Sequence, residues 1–396
     1  MIYFLLPNVN PFSIENLKCN KSMEKPEPYI SNTLSYYLYQ IKIKIDNYDK
    51  EWDLYKKYTN PFEYINTHIP NKNKCISKYK PLSRSYFKMI EIIDTFNLIE
   101  MNKESITTFH LAEGPGGFIE AFVNKRKNSK DKYIGITLLD DKDDYNIPAW
   151  KKSEIFLKNN KNVYIESGKD NTGNILSYEN LEYIINKYEK FDIITADGGF
   201  DFSMDFNSQE INITQLLYAQ ICYALCLQKK DGCFILKLFD CFMKHTIDML
   251  YLLSSMYGEV YISKPQTSRY ANSEKYIICK GFLYDNEVNK QNLMKILVEI
   301  INLKEKEYIN SFFDLKLSNY FIKKIEEYNS IFGQQQIETI NNTLNLIHNS
   351  NNSEKIDQLI KNNIQRSISW CEKYNVPHNV ICQTNIFLSN NEIELN

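Results

Sequence analysis

Short apolar runs alternate with helix-like segments between residues 75 and 285. In the helix-like segments apolar residues recur every three or four positions, whereas the short runs are typical of buried β-strands. Strands are predicted at 107–112, 133–137, 163–166, 191–196, 233–238, 260–263 and 276–279. Helices are predicted at 84–96, 118–125, 150–158, 181–188, 209–227 and 243–257. This alternation favours an α/β fold, in which helices cover a mostly parallel sheet.

The two ends of the chain differ from this central pattern. Residues 1–70 are mixed and aromatic-rich, and we interpret them as an N-terminal cap or lead-in. Residues 286–396 are rich in Asn, Lys and Ile and show long helical periodicity, with a polar interruption at 348–353. The sequence therefore predicts a central domain over 71–285, followed by a helical C-terminal region.

Composition narrows the class of protein only slightly. The 396 residues are 43% hydrophobic, which permits a sizeable core, and the formal net charge is −2. Any contact with nucleic acid must therefore come from a local basic surface. The nine cysteines form no C-x-x-C pair, so we expect reduced thiols in an intracellular protein, cytoplasmic or nuclear. We expect no export signal and no membrane association, because no run of ~18 apolar residues occurs.

A glycine-rich turn follows the first predicted central strand. Its sequence is His-Leu-Ala-Glu-Gly-Pro-Gly-Gly-Phe over 110–118, with a helical pattern after it. The glycines permit a tight turn and close approach to a ligand, and the helix start offers free N–H groups to a nucleotide-like molecule. Such a turn is also common as a purely structural element, and the turn alone leaves both interpretations open.

Two charged residues stand at the ends of neighbouring predicted strands. Asp197 follows strand 191–196 and precedes two glycines, at the sheet edge where open α/β sheets bind ligands. Lys237 lies inside an apolar strand, where a lysine is costly unless a partner holds it. A structural ion pair and a functional lysine are both compatible with this position, and the acid at 197 favours the functional one.

Several segments, taken together, resemble the FtsJ-like (RrmJ-type) S-adenosylmethionine-dependent RNA ribose 2′-O-methyltransferases. Within that family the likeness is to the cap-specific mRNA enzymes of eukaryotes and large DNA viruses. The segments occur in the family's order across roughly residues 56–282, at 83–89, 113–118, 197–199, 237–240, 264–274 and 279–281. The resemblance implies a Rossmann-like fold with a mostly parallel seven-stranded sheet, one strand of which is antiparallel.

The resemblance also implies roles for individual residues. The family's catalytic tetrad falls on Lys88, Asp197, Lys237 and Glu274. The methyl donor, S-adenosylmethionine, is expected at Ser83, Ala112, Glu113, Gly114, Pro115, Gly116, Gly117, Phe118, Asn174 and Ile175. Substrate contacts are expected at Lys56, Asn207, Arg269 and Asn272. Three positions depart from the family's usual residues: Glu113 replaces a small residue, Tyr270 a proline and Asn174 an acid.

The residue types of the tetrad suit methyl transfer to a hydroxyl. A ribose hydroxyl is a poor nucleophile and must lose its proton as it attacks. Lys237 is the expected base, because a second cation such as Lys88 and apolar surroundings favour a neutral amine. The two acids are expected to orient the lysines. No metal is expected, and the acidic run Asp140, Asp141, Asp143 and Asp144 is predicted to be a solvated loop, from which one acid could still bind the donor's ribose.

These observations predict 2′-O-methylation of a nucleotide next to the 5′ cap of mRNA. The same chemistry on ribosomal or transfer RNA is the first alternative, and an inactive RNA-binding or scaffolding subunit with this fold is the second. The expected partners are the capped mRNA 5′ end and other capping enzymes. A viral source would place the protein in the host cytoplasm or the virion.

Overall fold

The computed structural model describes residues 1–99, 103–139, 149–199, 208–285 and 289–379. The predicted substrate residue Asn207 and the acidic run at 140–144 lie outside these ranges.

The described residues form one large sheet and one small one. Their ten strands are β1 (Ile2–Leu5), β2 (Asn20–Ser22), β3 (Thr107–Leu111), β4 (Lys132–Ile136), β5 (Val163–Glu166), β6 (Phe191–Ala196), β7 (Gln228–Leu238), β8 (Tyr257–Lys264), β9 (Lys275–Phe282) and β10 (Tyr308–Ser311). Eight of them form the main sheet in the order β1-β8-β9-β7-β6-β3-β4-β5, and β10 pairs with β2. β3 to β7 are mutually parallel, while β9 runs antiparallel between β7 and β8.

The seven predicted strands are all present, and the predicted fold class is confirmed. The main sheet also contains an eighth strand, β1, which pairs antiparallel with β8. Two strands therefore run against the parallel set, where one was expected. β1 is a four-residue edge strand whose side chains are mostly exposed, so its sequence lacks the alternation of buried and exposed positions by which strands are predicted.

Helices cover both faces of the main sheet. They are α1 (Asn32–Ile43), α2 (Asp49–Thr59), α3 (Ser85–Phe96), α4 (Gly117–Arg126), α5 (Glu154–Asn159), α6 (Tyr178–Lys187), α7 (Gln209–Asn212), α8 (Thr214–Leu227), α9 (Lys244–Met256), α10 (Lys290–Ile301), α11 (Asn319–His348) and α12 (Ser353–Lys373). The predicted helix at 209–227 is divided into α7 and α8 at Ile213. The helical C-terminal region is confirmed, with β10 as an addition.

Side chains that alternate along the strands of the main sheet lie in two apolar cores, one on each face of the sheet. Ile194 and Leu111 lie in a core with α6, α8, α9 and α10. Ile193 and Tyr133 point to the opposite face, into a core with α3, α4 and α12. Successive side chains of a strand point to opposite faces, so strands covered on both sides read as nearly continuous apolar runs.

The terminal regions pack against each other beside the sheet. α11 contacts both α1 and α2, and α12 contacts α2 and residues 63–65. Ile41 of α1 joins Ile340 and Leu344 of α11 in a third apolar cluster, with Trp52 of α2 at its edge. The proposed domain boundaries at residues 70 and 285 stay predictions. In the described ranges, no helix has the length and apolar character needed to cross a membrane, and no disulfide joins the cysteines there.

Candidate active site

Lys88 and Glu274 form the tighter of two buried ion pairs. Lys88 projects from α3, and its Nζ lies 2.7 Å from Oε1 and 2.8 Å from Oε2 of Glu274, which directly precedes β9. The Ser268 hydroxyl donates a further hydrogen bond of 2.8 Å to Glu274 Oε1. Burial raises the pKa of Glu274, but the charges of Lys88 and Lys237 outweigh burial and hold that pKa at about 2. Glu274 is therefore a carboxylate at neutral pH.

Lys237 and Asp197 form the looser pair. Lys237 Nζ lies 3.4 Å from Asp197 Oδ1 and donates a 2.5 Å hydrogen bond to the main-chain carbonyl of the same residue. A Cβ atom at Gly199 would lie 3.1 Å from Lys237 Nζ, so the glycine leaves space for the amine. Tyr276, which faces Lys237 across β7 and β9, donates from its hydroxyl to Asp197 Oδ1 at 2.9 Å.

The two pairs meet at one place. Lys88 Nζ lies 6.0 Å from the centroid of the Tyr276 ring, whose hydroxyl contacts Asp197. Both lysines lower the pKa of the one carboxyl group of Glu274. The four residues predicted as a tetrad are thus brought together, although 186 residues separate Lys88 from Glu274.

A cavity of about 660 Å³ opens beside the tetrad, and we call it the catalytic cavity. Its sheet side contains Gly199, Lys237 and Glu274. The opposite wall comes from α1, α2 and α11, outside the predicted central domain. The residues of that wall include Lys42, Trp52, Lys56, Gln336 and Thr339. Terminal helices therefore complete a cavity whose two tetrad residues, Lys237 and Glu274, come from β7 and from the loop before β9.

The glycines of the 110–118 turn make room for other parts of this chain. A Cβ atom at Gly117 would lie 2.3 Å from both Ser83 Oγ and Ser85 Oγ, and one at Gly114 would lie 2.5 Å from the carbonyl oxygen of Ala149. Gly116 adopts a φ of 107°, a conformation that glycine favours. The turn therefore needs glycine for internal packing, whatever it binds.

Glu113 lies inside this turn as a helix cap. It is 3% exposed, and its Oε1 accepts hydrogen bonds from the N–H groups of Phe118 and Ile119, at 2.5 and 3.4 Å. Its Oε2 has no hydrogen-bond partner among the described residues. Burial and the nearby charge of Asp197 raise the pKa of Glu113 well above its ordinary value, against the effect of the two N–H donors. The fold therefore favours the protonated form of Glu113 up to a higher pH than a free side chain does.

The remaining predicted donor residues lie at the same edge of the sheet. Leu139, after β4, donates from its N–H to the carbonyl of Thr172 at 2.7 Å, which ties the loops after β4 and β5 together. Asn174 uses its Oδ1 to accept from Leu176 N at 2.9 Å, and Ile175 is buried in the core. Ser83, Ala112 and Phe118 flank the turn. Their contacts with a donor stay predictions.

Three of the four predicted substrate residues line the catalytic cavity, and all three are held by protein partners. Arg269 binds the buried Glu63 through two hydrogen bonds, of 2.6 and 3.0 Å. Asn272 accepts from Lys264 Nζ at 3.0 Å, and Lys56 is paired with Asp53. All three predicted residues border the cavity. Their contacts with RNA stay predictions.

Comparisons with known proteins identify the family of this chain. The family model described as FtsJ-like methyltransferase matches residues 81–282. The chain belongs to this family. Over 312 residues, 73% of this chain, it is 26% identical to cap-specific mRNA (nucleoside-2′-O-)-methyltransferase 2 of Drosophila melanogaster, covering 43% of that protein. Two Caenorhabditis briggsae proteins each match over 56% of the chain. They are cap-specific mRNA (nucleoside-2′-O-)-methyltransferase 1A (30% identity, 26% of its length) and its inactive relative 1B (29% identity, 27% of its length).

The chain spans less than half the length of each of these relatives. Within this FtsJ-like methyltransferase, the family match ends before α10 and begins after α1 and α2. The wall of the catalytic cavity that α1, α2 and α11 supply is therefore outside the matched segment.

Several site residues escaped sequence analysis. Lys264 is 4% exposed and donates to the carbonyls of Asn272 and Glu274, both at 2.8 Å, thereby fixing the loop before β9. Burial, together with the charge of Lys275, lowers the pKa of Lys264 to about 7. Lys264 ends β8, and Lys237 lies one residue before the end of β7. The same signal, a lysine next to apolar strand residues, could have found Lys264. Tyr276 and Glu63 had no such signal.

The loop at 265–269 is also held from α3. The buried Glu91 accepts hydrogen bonds from the N–H groups of Gln266 and Thr267, each at 2.8 Å, and from the Thr267 hydroxyl at 2.6 Å. Glu91 is thus a second link, besides the Lys88–Glu274 pair, between α3 and the loop that precedes β9. Within the described ranges, no cluster of three or more His, Cys, Asp or Glu side chains is placed to bind a metal ion.

Proposed function

We propose that this protein transfers a methyl group from S-adenosylmethionine to the ribose 2′-hydroxyl of a nucleotide next to the 5′ cap of mRNA. The observation that carries the proposal is the convergence of the Lys88–Glu274 and Lys237–Asp197 pairs on the catalytic cavity. Two amines and two carboxylates in this arrangement can remove a proton from a hydroxyl and balance the charge that develops.

The donor fits the sheet edge beside the tetrad. The strand order reverses next to β3, since β4 lies on one side of it and β6 on the other. Open α/β sheets bind ligands at the carboxyl edge of such a reversal, and here the 112–118 turn and Asp197 lie on either side of it. The turn and Asn174 would hold the donor, which supplies an electrophilic sulfonium methyl group when bound.

The chain's own residues then handle the proton. Lys237 accepts the proton of the ribose hydroxyl at Nζ as the oxygen forms its bond to the methyl carbon, and the sulfur keeps the electron pair of the broken bond. Lys88 Nζ, fixed by Glu274, lies 6.0 Å from the centroid of the Tyr276 ring, whose hydroxyl contacts Asp197. Asp197, oriented by the Tyr276 hydroxyl, holds Lys237 in place. Alignment of the two bound substrates supplies much of the remaining acceleration.

The substrate side of the cavity supports an RNA end as the ligand. Trp52 offers an aromatic surface for a base, and Lys56 and Arg269 offer charges that complement phosphate. The relatives named as cap-specific mRNA methyltransferases make the capped end the favoured substrate. We propose other capping enzymes as partners, and the cytoplasm or nucleus as the place of action.

A transfer assay with labelled donor tests this function. Capped and uncapped RNAs of the same sequence are incubated with the protein, beside ribosomal and transfer RNA, and the methylated sugar is mapped by nuclease digestion. We expect label on the ribose next to the cap. Equal labelling of uncapped ribosomal or transfer RNA would favour the first alternative. Binding of donor and RNA without any transfer would favour an inactive subunit.

A further inference from the structure

Three residues form a continuous stripe along one side of α1. Tyr36, Tyr39 and Lys42 are spaced three apart, which places them on the same side of a helix. Tyr36 is 59% exposed and Tyr39 is 47% exposed, whereas Lys42 is nearly buried against Asp240, 3.0 Å away. We call these three residues the α1 stripe. Exposed tyrosines grouped in this way are unusual enough to need an explanation.

The stripe joins two cavities. Its Lys42 end lines the catalytic cavity. Tyr36 and Tyr39 line a second cavity of about 550 Å³, which Lys25 and Ser208 also border. Gln209, the neighbour of Ser208, lines the catalytic cavity. The two cavities are therefore bordered by the chain neighbours Ser208 and Gln209, and by the two ends of the α1 stripe.

We propose that the α1 stripe binds the single-stranded RNA that continues from the methylated nucleotide, with bases stacked on Tyr36 and Tyr39. This inference rests on the proposed function for its substrate. Aromatic rings stack on any base, so the stripe adds affinity without demanding a sequence. α1 is 12 residues long, about 18 Å at 1.5 Å per residue, which is long enough to follow a chain beyond one nucleotide.

The charges near the tyrosines favour stacking over phosphate binding as the main contact. Lys25 Nζ already donates to Ser208 Oγ at 2.9 Å, and Glu27 lies on the same cavity wall. The acid offsets the lysine, so the exposed rings are the main ligand-binding groups there. α1 also precedes the family-matched segment, which begins at residue 81. The stripe is thus an addition to the methyltransferase domain.

The chain offers a matched control for this proposal. Tyr37 is 59% exposed, as Tyr36 is, and sits on the same helix, where its ring meets that of Tyr36 edge-on with centroids 5.7 Å apart. It borders neither of the two cavities. The experiment compares a Tyr36→Ala, Tyr39→Ala double variant with Tyr37→Ala. Binding of dye-labelled capped RNA is measured by fluorescence anisotropy with the full chain, once with a capped dinucleotide and once with an RNA about four times as long.

The wild-type protein is expected to bind the longer RNA more tightly than the dinucleotide. The double variant should lose about tenfold or more of that advantage, because stacking of one base contributes roughly a fivefold effect or more. Tyr37→Ala should keep the advantage to within about twofold, and Tyr36→Phe, Tyr39→Phe should keep it as well. The dependence of affinity on salt should be unchanged in the double variant, since no charge is removed.

Three results would overturn the proposal: no length advantage in the wild-type protein, an advantage retained by the double variant, or an equal loss in Tyr37→Ala. The second would leave the exposed tyrosines as a surface for something other than RNA, and the third would mean that the loss does not come from the two rings that line the cavity. Binding is read without turnover, so the result is separate from that of the transfer assay. Tyrosine-dependent RNA binding without methyl transfer would reject the proposed reaction and keep the stripe.

Discussion

The two ion pairs of the tetrad differ in how firmly each lysine is held. Lys88 has both oxygens of Glu274 within 2.8 Å, and Ser268 fixes that carboxylate further. The ammonium of Lys237 is 3.4 Å from the Asp197 carboxylate, and its shortest contact is to an uncharged carbonyl. Charge-assisted hydrogen bonds stabilise an ammonium more than bonds to neutral groups do. The geometry therefore holds the Lys88 amine firmly in place and leaves the Lys237 amine with the looser contact to its carboxylate.

Two buried acids of the same site show a parallel contrast. The pKa of Glu274 falls to about 2, whereas that of Glu113 rises well above its ordinary value. Burial raises both, and the difference lies in the neighbours. Glu274 contacts a cation, while Glu113 has main-chain N–H donors and the charge of Asp197 close by. An ionic partner in contact decides which of two buried carboxyls is charged.

Removing the looser lysine should have the largest effect. Lys237→Ala is expected to reduce the rate constant of methyl transfer by about 10²- to 10⁴-fold, the usual contribution of a general base. Single-turnover assays with labelled donor measure this rate, and calorimetry measures donor affinity, which should change little. Lys229→Ala is the matched control, because Lys229 lies on the same strand but pairs with Asp192 at its far end. Turnover within tenfold of wild type would remove Lys237 from the mechanism.

The tighter pair should show its effect in stability. Glu274→Gln leaves Lys88 buried without a charged partner, which typically costs about 3–5 kcal/mol in the free energy of unfolding. The folded pKa of Glu274, about 2, is below its ordinary value of 4.5. Its contribution is therefore complete above pH 4.5 and disappears as the pH falls towards 2. Urea unfolding across this range should show the gap between wild type and variant closing at low pH.

A difference in the free energy of unfolding between wild type and Glu274→Gln that stays constant across the pH range would mean that Glu274 acts through packing and not through charge. Ser268→Ala serves as the control, because it removes one hydrogen bond from a neutral hydroxyl to Glu274 and keeps the ion pair. We expect that variant to lose about 1.5–3 kcal/mol, less than Glu274→Gln.

Sequence analysis found the half of the site that lies on strands. Lys237 was visible because a charge interrupts an apolar strand, and Asp197 because it ends one. Lys88 and Glu274 look like ordinary surface residues in the sequence, and only the resemblance to a family singled them out. Their contact joins a helix to a loop 186 residues away. Local patterns contain no information about such a pairing.

The cavity wall was also beyond sequence analysis. Trp52 and Gln336 come from opposite ends of the chain and meet only because α2 packs on α11. Helical periodicity predicts that a helix has an apolar side but not which partner covers it. The strands, in contrast, were predictable because a parallel sheet with both faces covered requires continuous apolar runs.

For Glu113, the free energy of unfolding should change with pH in the direction opposite to that expected for Glu274. The pKa of Glu113 is raised in the folded state, so below its ordinary value of 4.5 the side chain is protonated in both the folded and the unfolded state, and its burial adds no pH-dependent cost to stability. Above 4.5 the unfolded chain loses this proton while the folded protein keeps it. Wild-type stability should therefore fall relative to Glu113→Gln by about 1.4 kcal/mol per pH unit until the raised pKa is passed. Thermal and urea unfolding between pH 4.5 and 8 measure this difference. Glu179→Gln, at an exposed first-turn position of α6, should differ by less than about 0.5 kcal/mol. A gap between wild type and Glu113→Gln that does not change with pH would mean that Glu113 is ionised in the fold.

The smallest effect is expected on the RNA side of the cavity. Lys56 lines the cavity but shares its charge with Asp53, whose side chain is 73% exposed. Lys56→Ala should weaken RNA binding only a few-fold and reduce the slope of log affinity against log salt by about 1. Asp53→Asn should do the reverse and strengthen binding, because it releases the lysine for phosphate. Anisotropy titrations at several salt concentrations measure the slopes for both variants. An unchanged slope in Lys56→Ala would mean that Lys56 does not contact phosphate and only stabilises α2 through its ion pair with Asp53.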